Sequence, residues 1–145
     1  MKYKGAIEIN KPVELVARLF ADPGNLKEYQ DGFIRKELIS GKAGEKGAVS
    51  KMYYKYGKHD MVLTETISAN NLPDTFEAFY HHKHMDNTWK CKFIDLGLDK
   101  TRYEYEFEYV RMSLMPRLMA IIFPGMYRKQ GEKWMKQFKE FVEKQ

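Results

Sequence analysis

Short runs of alternating apolar and polar residues fill most of the chain and indicate β-strands. Near the start of the chain, Tyr3, Gly5, Ile7 and Ile9 alternate with Lys2, Lys4 and Glu8, which predicts one half-buried strand. Between Phe33 and Arg111 the alternation returns in six runs, as in an antiparallel meander. Turn-forming residues separate these runs at 41–47, 57–59, 70–74, 82–86 and 97–100.

The last of these runs has the clearest two-faced pattern. Its positions alternate between a mainly aromatic set and a charged set: Thr101, Tyr103, Tyr105, Phe107 and Tyr109 against Arg102, Glu104, Glu106 and Glu108. Because successive side chains of a strand point to opposite faces, one face of this strand is predicted to be an aromatic wall of the interior.

Two short helices are predicted between the first and second strands. Asn10 is suited to cap the first helix, Pro12 suits its first turn, and apolar residues recur at helical spacing as far as Phe20. The turn-forming run at 22–25 ends this helix, and a shorter one is predicted over 26–30.

A long helical pattern begins after Met112 and continues to the end of the chain. Its apolar residues can share one broad stripe: Leu114, Leu118, Ile122, Met126, Trp134, Phe138, Phe141 and Val142. Pro124 removes a backbone donor and Gly125 is flexible, so a kink or a split into two helices is predicted there. The part before the break is expected near the mouth of the fold, where it can gate entry, and the later part is expected to be the packing anchor.

Composition places the chain among globular proteins of one domain. The 145 residues are 43% hydrophobic and 31% charged, which suits a single soluble domain over 1–145. No signal-like or membrane-spanning run is visible, and the lone Cys91 fits a reducing compartment, so a cytoplasmic location is expected. The net charge of +5 is spread along the chain, which argues against a nucleic-acid partner.

Several short motifs accompany this order of elements. They are Ile7-Glu8-Ile9-Asn10-Lys11-Pro12-Val13-Glu14-Leu15-Val16, Phe20-Ala21-Asp22-Pro23, the turn at 44–47, Glu65-Thr66-Ile67 with Leu72-Pro73, and Phe138-Lys139-Glu140-Phe141. With them the chain resembles the START-like superfamily, also called Bet v 1-like or SRPBCC, and in particular its bacterial polyketide cyclase/dehydrase and lipid-transport branch.

The resemblance implies an α+β helix-grip fold. In that fold a seven-stranded curved antiparallel sheet wraps around a long C-terminal helix, two short helices lie between strands one and two, and a cavity separates sheet from helix. Members bind lipids, sterols, polyketides or plant hormones, and a minority catalyse cyclisation or related reactions. The superfamily has no single catalytic signature that could be carried over to this chain.

The apolar parity of each strand then predicts a set of ligand-binding residues in such a cavity. The set is Met52, Tyr54, Leu63, Phe76, Tyr80, Trp89, Cys91, Tyr103, Tyr105 and Phe107 from the strands, with Leu118, Met119, Ile122 and Met126 from the last helical region. These side chains can alternatively fill one another's space as a dry core. Tyrosine hydroxyls need partners when they are buried, which favours a cavity for a partly polar ligand.

Glu65 is the one carboxylate on an otherwise apolar parity. If it points inward, desolvation would raise its pKa and make it a candidate acid or base, whereas a strand-end position near water or a lysine partner is the structural alternative. His81, His82 and His84 do not converge as metal ligands, because neighbours in an extended segment point apart. Cys91 is expected to be an inert core thiol. No metal and no cofactor are predicted.

Three functions remain open from the sequence. The first is binding or transport of an apolar or amphipathic small molecule of the lipid, polyketide or aromatic class. The second is a polyketide cyclase/dehydratase-like or hydrolase-like enzyme that uses the same cavity, and the third is a protein-interaction module. The expected oligomeric state is a monomer or a weak dimer. Basic residues of the last helical region could attract a membrane, but their alternation with Glu132, Glu140 and Glu143 favours a solvated face.

Overall fold

A computed structural model describes residues 1–145 and contains one curved, seven-stranded antiparallel sheet. The strands are β1 (Lys2–Ile9), β2 (Phe33–Ser40), β3 (Val49–Tyr56), β4 (His59–Asn71), β5 (Thr75–His81), β6 (Met85–Gly97) and β7 (Lys100–Met112). Their order in the sheet is β1-β7-β6-β5-β4-β3-β2, so every neighbour from β2 to β7 is joined by a hairpin connection. The predicted strand and the predicted six-stranded meander are confirmed.

Four α-helices complete the chain. They are α1 (Val13–Ala21), α2 (Leu26–Tyr29), α3 (Leu114–Ile122) and α4 (Met126–Glu143), with a 3₁₀ turn over Pro23–Asn25 between α1 and α2. Gly125 adopts the left-handed region at φ 88° between α3 and α4, so the predicted break at Pro124-Gly125 is a true division into two helices.

The predicted cap of α1 is wrong. Pro12 occupies the N-cap position, and no side chain caps the helix. The backbone N–H of Asn10 instead donates to a carboxylate oxygen of Glu143 at 2.8 Å. Lys11 Nζ donates to the carbonyl oxygen of Gln145 at 2.6 Å, so the segment that leaves β1 is tied to the end of α4.

The concave face of the sheet grips α4 through aromatic side chains. Tyr103 and Phe107 of β7 are buried, as the alternation predicts. Phe138 of α4 is 1% exposed, and its ring centroid lies 5.5 Å from that of Tyr103 and 4.9 Å from that of Tyr29 in α2. With Val142, which is fully buried, Phe138 anchors α4 between the sheet and the short helices.

Gly131 lets α4 approach the sheet closely. A Cβ atom at this position would lie 2.8 Å from a ring carbon of Phe107, which is closer than van der Waals contact permits. Glycine in a helix interior costs about 1 kcal/mol relative to alanine. The close packing of α4 against β7 explains why a glycine is present here despite this cost.

α3 does not continue the packing of α4. None of its residues is buried, and Leu114, Ile121 and Ile122 are 77%, 71% and 56% exposed. The single apolar stripe expected for the last helical region is therefore divided, because the turn at Gly125 directs the two helices differently. None of the four helices combines the length and apolar character needed to cross a bilayer.

Candidate ligand-binding cavity

A cavity of about 800 Å³ lies between the sheet and α4. Its wall is formed by 35 residues, of which 24 are hydrophobic, so the interior is not a dry core filled by its own side chains. The residues predicted from strand parity that reach this wall are Met52, Tyr54, Leu63, Phe76, Tyr80, Trp89, Tyr103 and Phe107. Tyr56, Met61 and Ile67, which share those strand faces, reach it as well.

The predicted contribution of the last helical region is wrong. Leu118, Met119, Ile122 and Met126 do not reach the cavity; the helical wall is formed by α4 residues Tyr127, Gln130, Gly131, Trp134, Met135 and Phe138. The reason is the division at Gly125: α4 alone runs along the concave face, and α3 lies outside it. The first residue of this helical region to line the cavity is Tyr127, directly after Met126, the last residue of the predicted set.

Two predicted strand residues also lie elsewhere. Cys91 is buried among its neighbours and Tyr105 stacks on Trp89 with ring centroids 5.5 Å apart, and neither side chain lines the cavity. Tyr105 occupies the space that the missing side chain of Gly5 leaves on the paired strand β1. Because Gly5 leaves this space free, the Tyr105 side chain lies over β1 and not in the cavity wall.

One end of the cavity lies beside α3. The antiparallel topology brings the end of β3, the β5–β6 turn and the end of β7 to the same end of the sheet, and all of them contribute to the wall. We call this part of the wall the α3 end of the cavity: Tyr56, His82, Met85, Tyr109, Tyr127 and Gln130. Tyr127 connects it to α3, because its hydroxyl donates to the carbonyl oxygen of Pro116 at 3.2 Å.

A buried polar cluster interrupts the apolar wall. Glu65 is 4% exposed, and each oxygen of its carboxylate accepts one hydrogen bond: from Lys36 Nζ at 2.8 Å and from the Tyr80 hydroxyl at 2.7 Å. The strand register places Glu65 directly opposite Ser50 of β3 and Tyr80 of β5. We call Lys36, Glu65 and Tyr80 the Glu65 cluster. Glu65 faces the cavity and has a lysine partner, and its role as an acid or base stays a prediction.

Lys36 was missed from the sequence, although a signal existed. It is a charged residue of β2 on the same strand parity as Leu38, and both side chains line the cavity. Phe20, Leu26, Tyr29 and Gln30, from α1, α2 and the residue after it, were missed too. Helical periodicity identifies the buried side of such short helices but does not tell whether that side meets a packed core or a cavity.

Tyrosine hydroxyls add further polar groups to the wall. The wall contains seven tyrosines: Tyr29, Tyr54, Tyr56, Tyr80, Tyr103, Tyr109 and Tyr127. Burial raises the pKa of Tyr80 well above its usual value, and the neighbouring Glu65 carboxylate acts in the same direction. Tyr80 therefore stays a neutral phenol that can donate its proton to the carboxylate. Tyr54 donates similarly to Gln30 Oε1 at 2.7 Å.

These tyrosines predict that the protein loses stability at alkaline pH. Burial is the largest cause of the raised pKa of Tyr29, Tyr54, Tyr103 and Tyr109. Above about pH 10 the unfolded chain releases phenolic protons that the folded protein keeps, so the free energy of unfolding falls as pH rises. Urea denaturation at a series of pH values, with tyrosinate absorbance as the probe, should show this. Tyrosinate that forms in the native protein near pH 10, in the number expected for all ten tyrosines, would contradict it.

A second prediction concerns the reactivity of the Cys91 thiol. Its side chain is 5% exposed, and burial raises the pKa of the thiol to about 12. The thiolate, which is the reactive form, is therefore scarce as well as shielded. A thiol-specific disulfide reagent at neutral pH should leave native Cys91 unmodified and modify it only after denaturation. Rapid modification of the folded protein would show that the thiol is accessible.

The histidines near the β5–β6 turn take part in local pairing. His81 Nδ1 lies 2.6 Å from Asp86 Oδ1, and Arg111 Nε donates to the other carboxylate oxygen of Asp86 at 2.8 Å. His82 and His84 have ring centroids 5.5 Å apart, and the His84 backbone N–H donates to His82 Nδ1 at 3.2 Å. No group of three or more histidine, cysteine, aspartate or glutamate side chains is arranged to hold a metal ion.

Comparison with known proteins finds matches to the structure of this chain but none to its sequence. No protein-family model and no curated protein matches the sequence. Solved structures do match. A conserved protein from Geobacillus kaustophilus superimposes with a TM-score of 0.81 at 14% identity, over 99% of this chain and 96% of the other. A START superfamily protein from Mycobacterium smegmatis gives 0.78 at 10% identity, over 99% and 97%.

A third match is the Zhui aromatase/cyclase from a Streptomyces species. It has a TM-score of 0.75 at 12% identity, over 99% of this chain and 93% of the other. Identities at this level show the fold alone. Together with the sheet order and the C-terminal helix, they show that the chain has the helix-grip fold of START-like and Bet v 1-like proteins.

Proposed function

We propose that this protein binds and carries an apolar or amphipathic small molecule, of the lipid, polyketide or aromatic class, inside the cavity. The observation that supports this function most directly is the cavity itself, whose volume of about 800 Å³ lies within the usual range for ligand sites. Its wall is apolar apart from a few convergent polar groups, and such a wall suits a ligand with a large apolar body and a small polar part.

The Glu65 cluster supports an amphipathic ligand over a purely apolar one. Lys36 Nζ has three protons and only one carboxylate partner, and the Tyr80 hydroxyl can also accept a hydrogen bond. A hydroxyl or carbonyl group of a ligand can therefore be held here while its apolar part lies against Leu63 and Phe76.

As parts of the same proposal, the chain acts as one domain and, because Cys91 is free, in a reducing compartment.

The bound molecule itself provides the test. Protein purified from its own host should show a bound species in native mass spectrometry, and solvent extraction should release it for identification. Leu63→Trp adds a bulky ring at the cavity wall and is expected to abolish this species. Val62→Trp is the matched control, because Val62 is the next residue of β4 and is 42% exposed. A wild-type protein that yields no bound species and does not bind a hydrophobic fluorescent probe would contradict the proposal.

A second candidate, a cyclase/dehydratase-like or hydrolase-like enzyme, is favoured by one specific observation. A carboxylate and a phenol are hydrogen-bonded at 2.7 Å inside the cavity, within reach of a bound molecule. If the extracted species is converted on incubation, Glu65→Gln should retain binding and lose conversion by at least about a hundredfold, the lower limit for a general acid or base. Equal conversion by wild type and Glu65→Gln would exclude Glu65 from catalysis.

A further inference from the structure

The exposed side of α3 is the least explained surface of the molecule. Six large apolar residues there are exposed, and we call them the α3 face: Leu114, Met115, Leu118, Ile121, Ile122 and Phe123. Contiguous apolar surface of this kind marks an interaction site. The outer face of β1 and β7 differs, because Lys2 and Lys4 lie 3.4 Å from the carboxylate of Glu106 there and cover the sheet with paired charges.

The exposed helix α3 is fixed to the rest of the fold through its first turn. At its start, the Ser113 backbone N–H donates to the His84 carbonyl oxygen at 2.8 Å. In the same first turn, the hydroxyl of Tyr127 donates to the carbonyl oxygen of Pro116. These bonds fix α3 to the β5–β6 turn and to the first turn of α4 while its apolar side chains face outward.

The chain segment that contains α3 carries charges of one sign. From Tyr109 to Gly131 the chain contains two cations before the break, Arg111 and Arg117, two after it, Arg128 and Lys129, and no carboxylate. Arg111 is neutralised by Asp86 at 2.8 Å. Arg117, Arg128 and Lys129 are exposed and have no carboxylate within ion-pair distance. Arg117 donates to the carbonyl oxygen of Met112 at 3.2 Å, and Arg128 lies 5.8 Å from the ring centre of Tyr3, so the three cations next to α3 in the chain remain without a carboxylate partner.

We propose that the α3 face docks on an anionic lipid bilayer. The apolar side chains of α3 enter the boundary between headgroups and acyl chains, and Arg117, Arg128 and Lys129 contact lipid phosphates. A second copy of the chain is the less suitable occupant, since a symmetric dimer through this face would bring the same unpaired cations together without a carboxylate to compensate them. The nine residues of α3 are too few to span a membrane, so the helix lies in the interface.

Docking in this way gives the cavity a position relative to the membrane. Tyr109 and Tyr127 belong to the α3 end of the cavity, and their rings are 5.1 Å apart at the base of α3. A bilayer that covers α3 is therefore next to this end. This step rests on the proposed ligand-carrying function: an apolar molecule could pass between cavity and bilayer with little exposure to water. The docking itself does not depend on that function.

Vesicle flotation with the full chain tests the docking. Wild-type protein should float with vesicles of phosphatidylcholine and phosphatidylglycerol, and less with phosphatidylcholine alone or at high salt. The variant Leu118→Glu/Ile121→Glu/Ile122→Glu should lose binding by about a hundredfold or more, since it puts charges in place of the methylene groups that enter the bilayer. The matched control is Ile34→Glu/Ile39→Glu/Leu98→Glu, which changes three apolar residues of similar or greater exposure elsewhere and should float like wild type.

The outcomes separate docking from ligand binding and from dimerisation. Leu63→Trp should float like wild type even though it loses the ligand, so failure of the carrier function leaves the vesicle result intact. Circular dichroism of the α3 variant should match wild type because the changed residues are exposed. Wild-type protein that does not float with anionic vesicles, or an α3 variant that floats equally well, would overturn the proposal. A wild-type dimer that this variant converts to monomer, without vesicle binding, would assign the face to a second copy.

Discussion

Replacing Phe138 by alanine is expected to lower the free energy of unfolding by about 3–5 kcal/mol, the usual cost of removing a buried phenylalanine ring. Its ring is packed against Phe20, Tyr29 and Tyr103, with centroid distances of 6.1, 4.9 and 5.5 Å. The ring thus joins α1, α2, α4 and β7, and its removal takes away all three of these contacts. Urea denaturation followed by circular dichroism measures the change.

Phe123→Ala is the control for this substitution. It removes the same side chain from the end of α3, where the ring is 54% exposed, and is expected to change the free energy of unfolding by about 0.5 kcal/mol at most. If Phe138→Ala were as mild as Phe123→Ala, α4 would not be anchored through this ring. The grip between helix and sheet would then have to rest on other contacts.

Lys36→Met is expected to cost about 3 kcal/mol in the free energy of unfolding, because it leaves the Glu65 carboxylate without its cation. The side chain of Glu65 is 5% exposed and that of Lys36 is 22% exposed. Removal of one partner from a buried ion pair costs about 3–5 kcal/mol. The lower end applies here, since the hydrogen bond from Tyr80 remains and the adjoining cavity can admit water.

The double variant Lys36→Met/Glu65→Gln identifies the cause. Glutamine has the shape of glutamate and still accepts a hydrogen bond from Tyr80, but it carries no charge that needs a cation. The double variant should therefore recover most of the stability that Lys36→Met loses, and the two substitutions should be strongly non-additive in denaturant titrations. Additive losses would mean that the lysine stabilises the protein through its aliphatic stem.

The sheet could be predicted from the sequence because its signals are local. The alternation in residues 101–109 directly encodes which side of β7 is buried, and glycine-containing turns mark the strand ends. The wall residues on β3 to β7 follow from the same parity. Tyr105 departs from it for a non-local reason, since the glycine that makes space for its ring lies on β1.

The helical side of the site depends on direction in space, which periodicity does not contain. Leu118 and Ile122 have the same pattern as Trp134 and Phe138, yet the first pair is exposed and the second pair borders the cavity. The angle introduced at Gly125 decides between these outcomes. The role of Lys36 was hidden for a related reason: the carboxylate that binds it is 29 residues away and meets it only across the folded sheet.

The pairing of β1 with β7 has a consequence for how the chain reaches this structure. The backbone N–H of Tyr109 donates to the carbonyl oxygen of Met1 at 2.8 Å, and the register continues through Ile7 and Tyr103. Contacts between residues so distant in sequence impose a large loop-closure entropy and slow folding. During synthesis, β1 leaves the ribosome long before its partner strand exists. The meander from β2 to β6 can pair as it emerges, whereas β1 has to remain unpaired until β7 has been made.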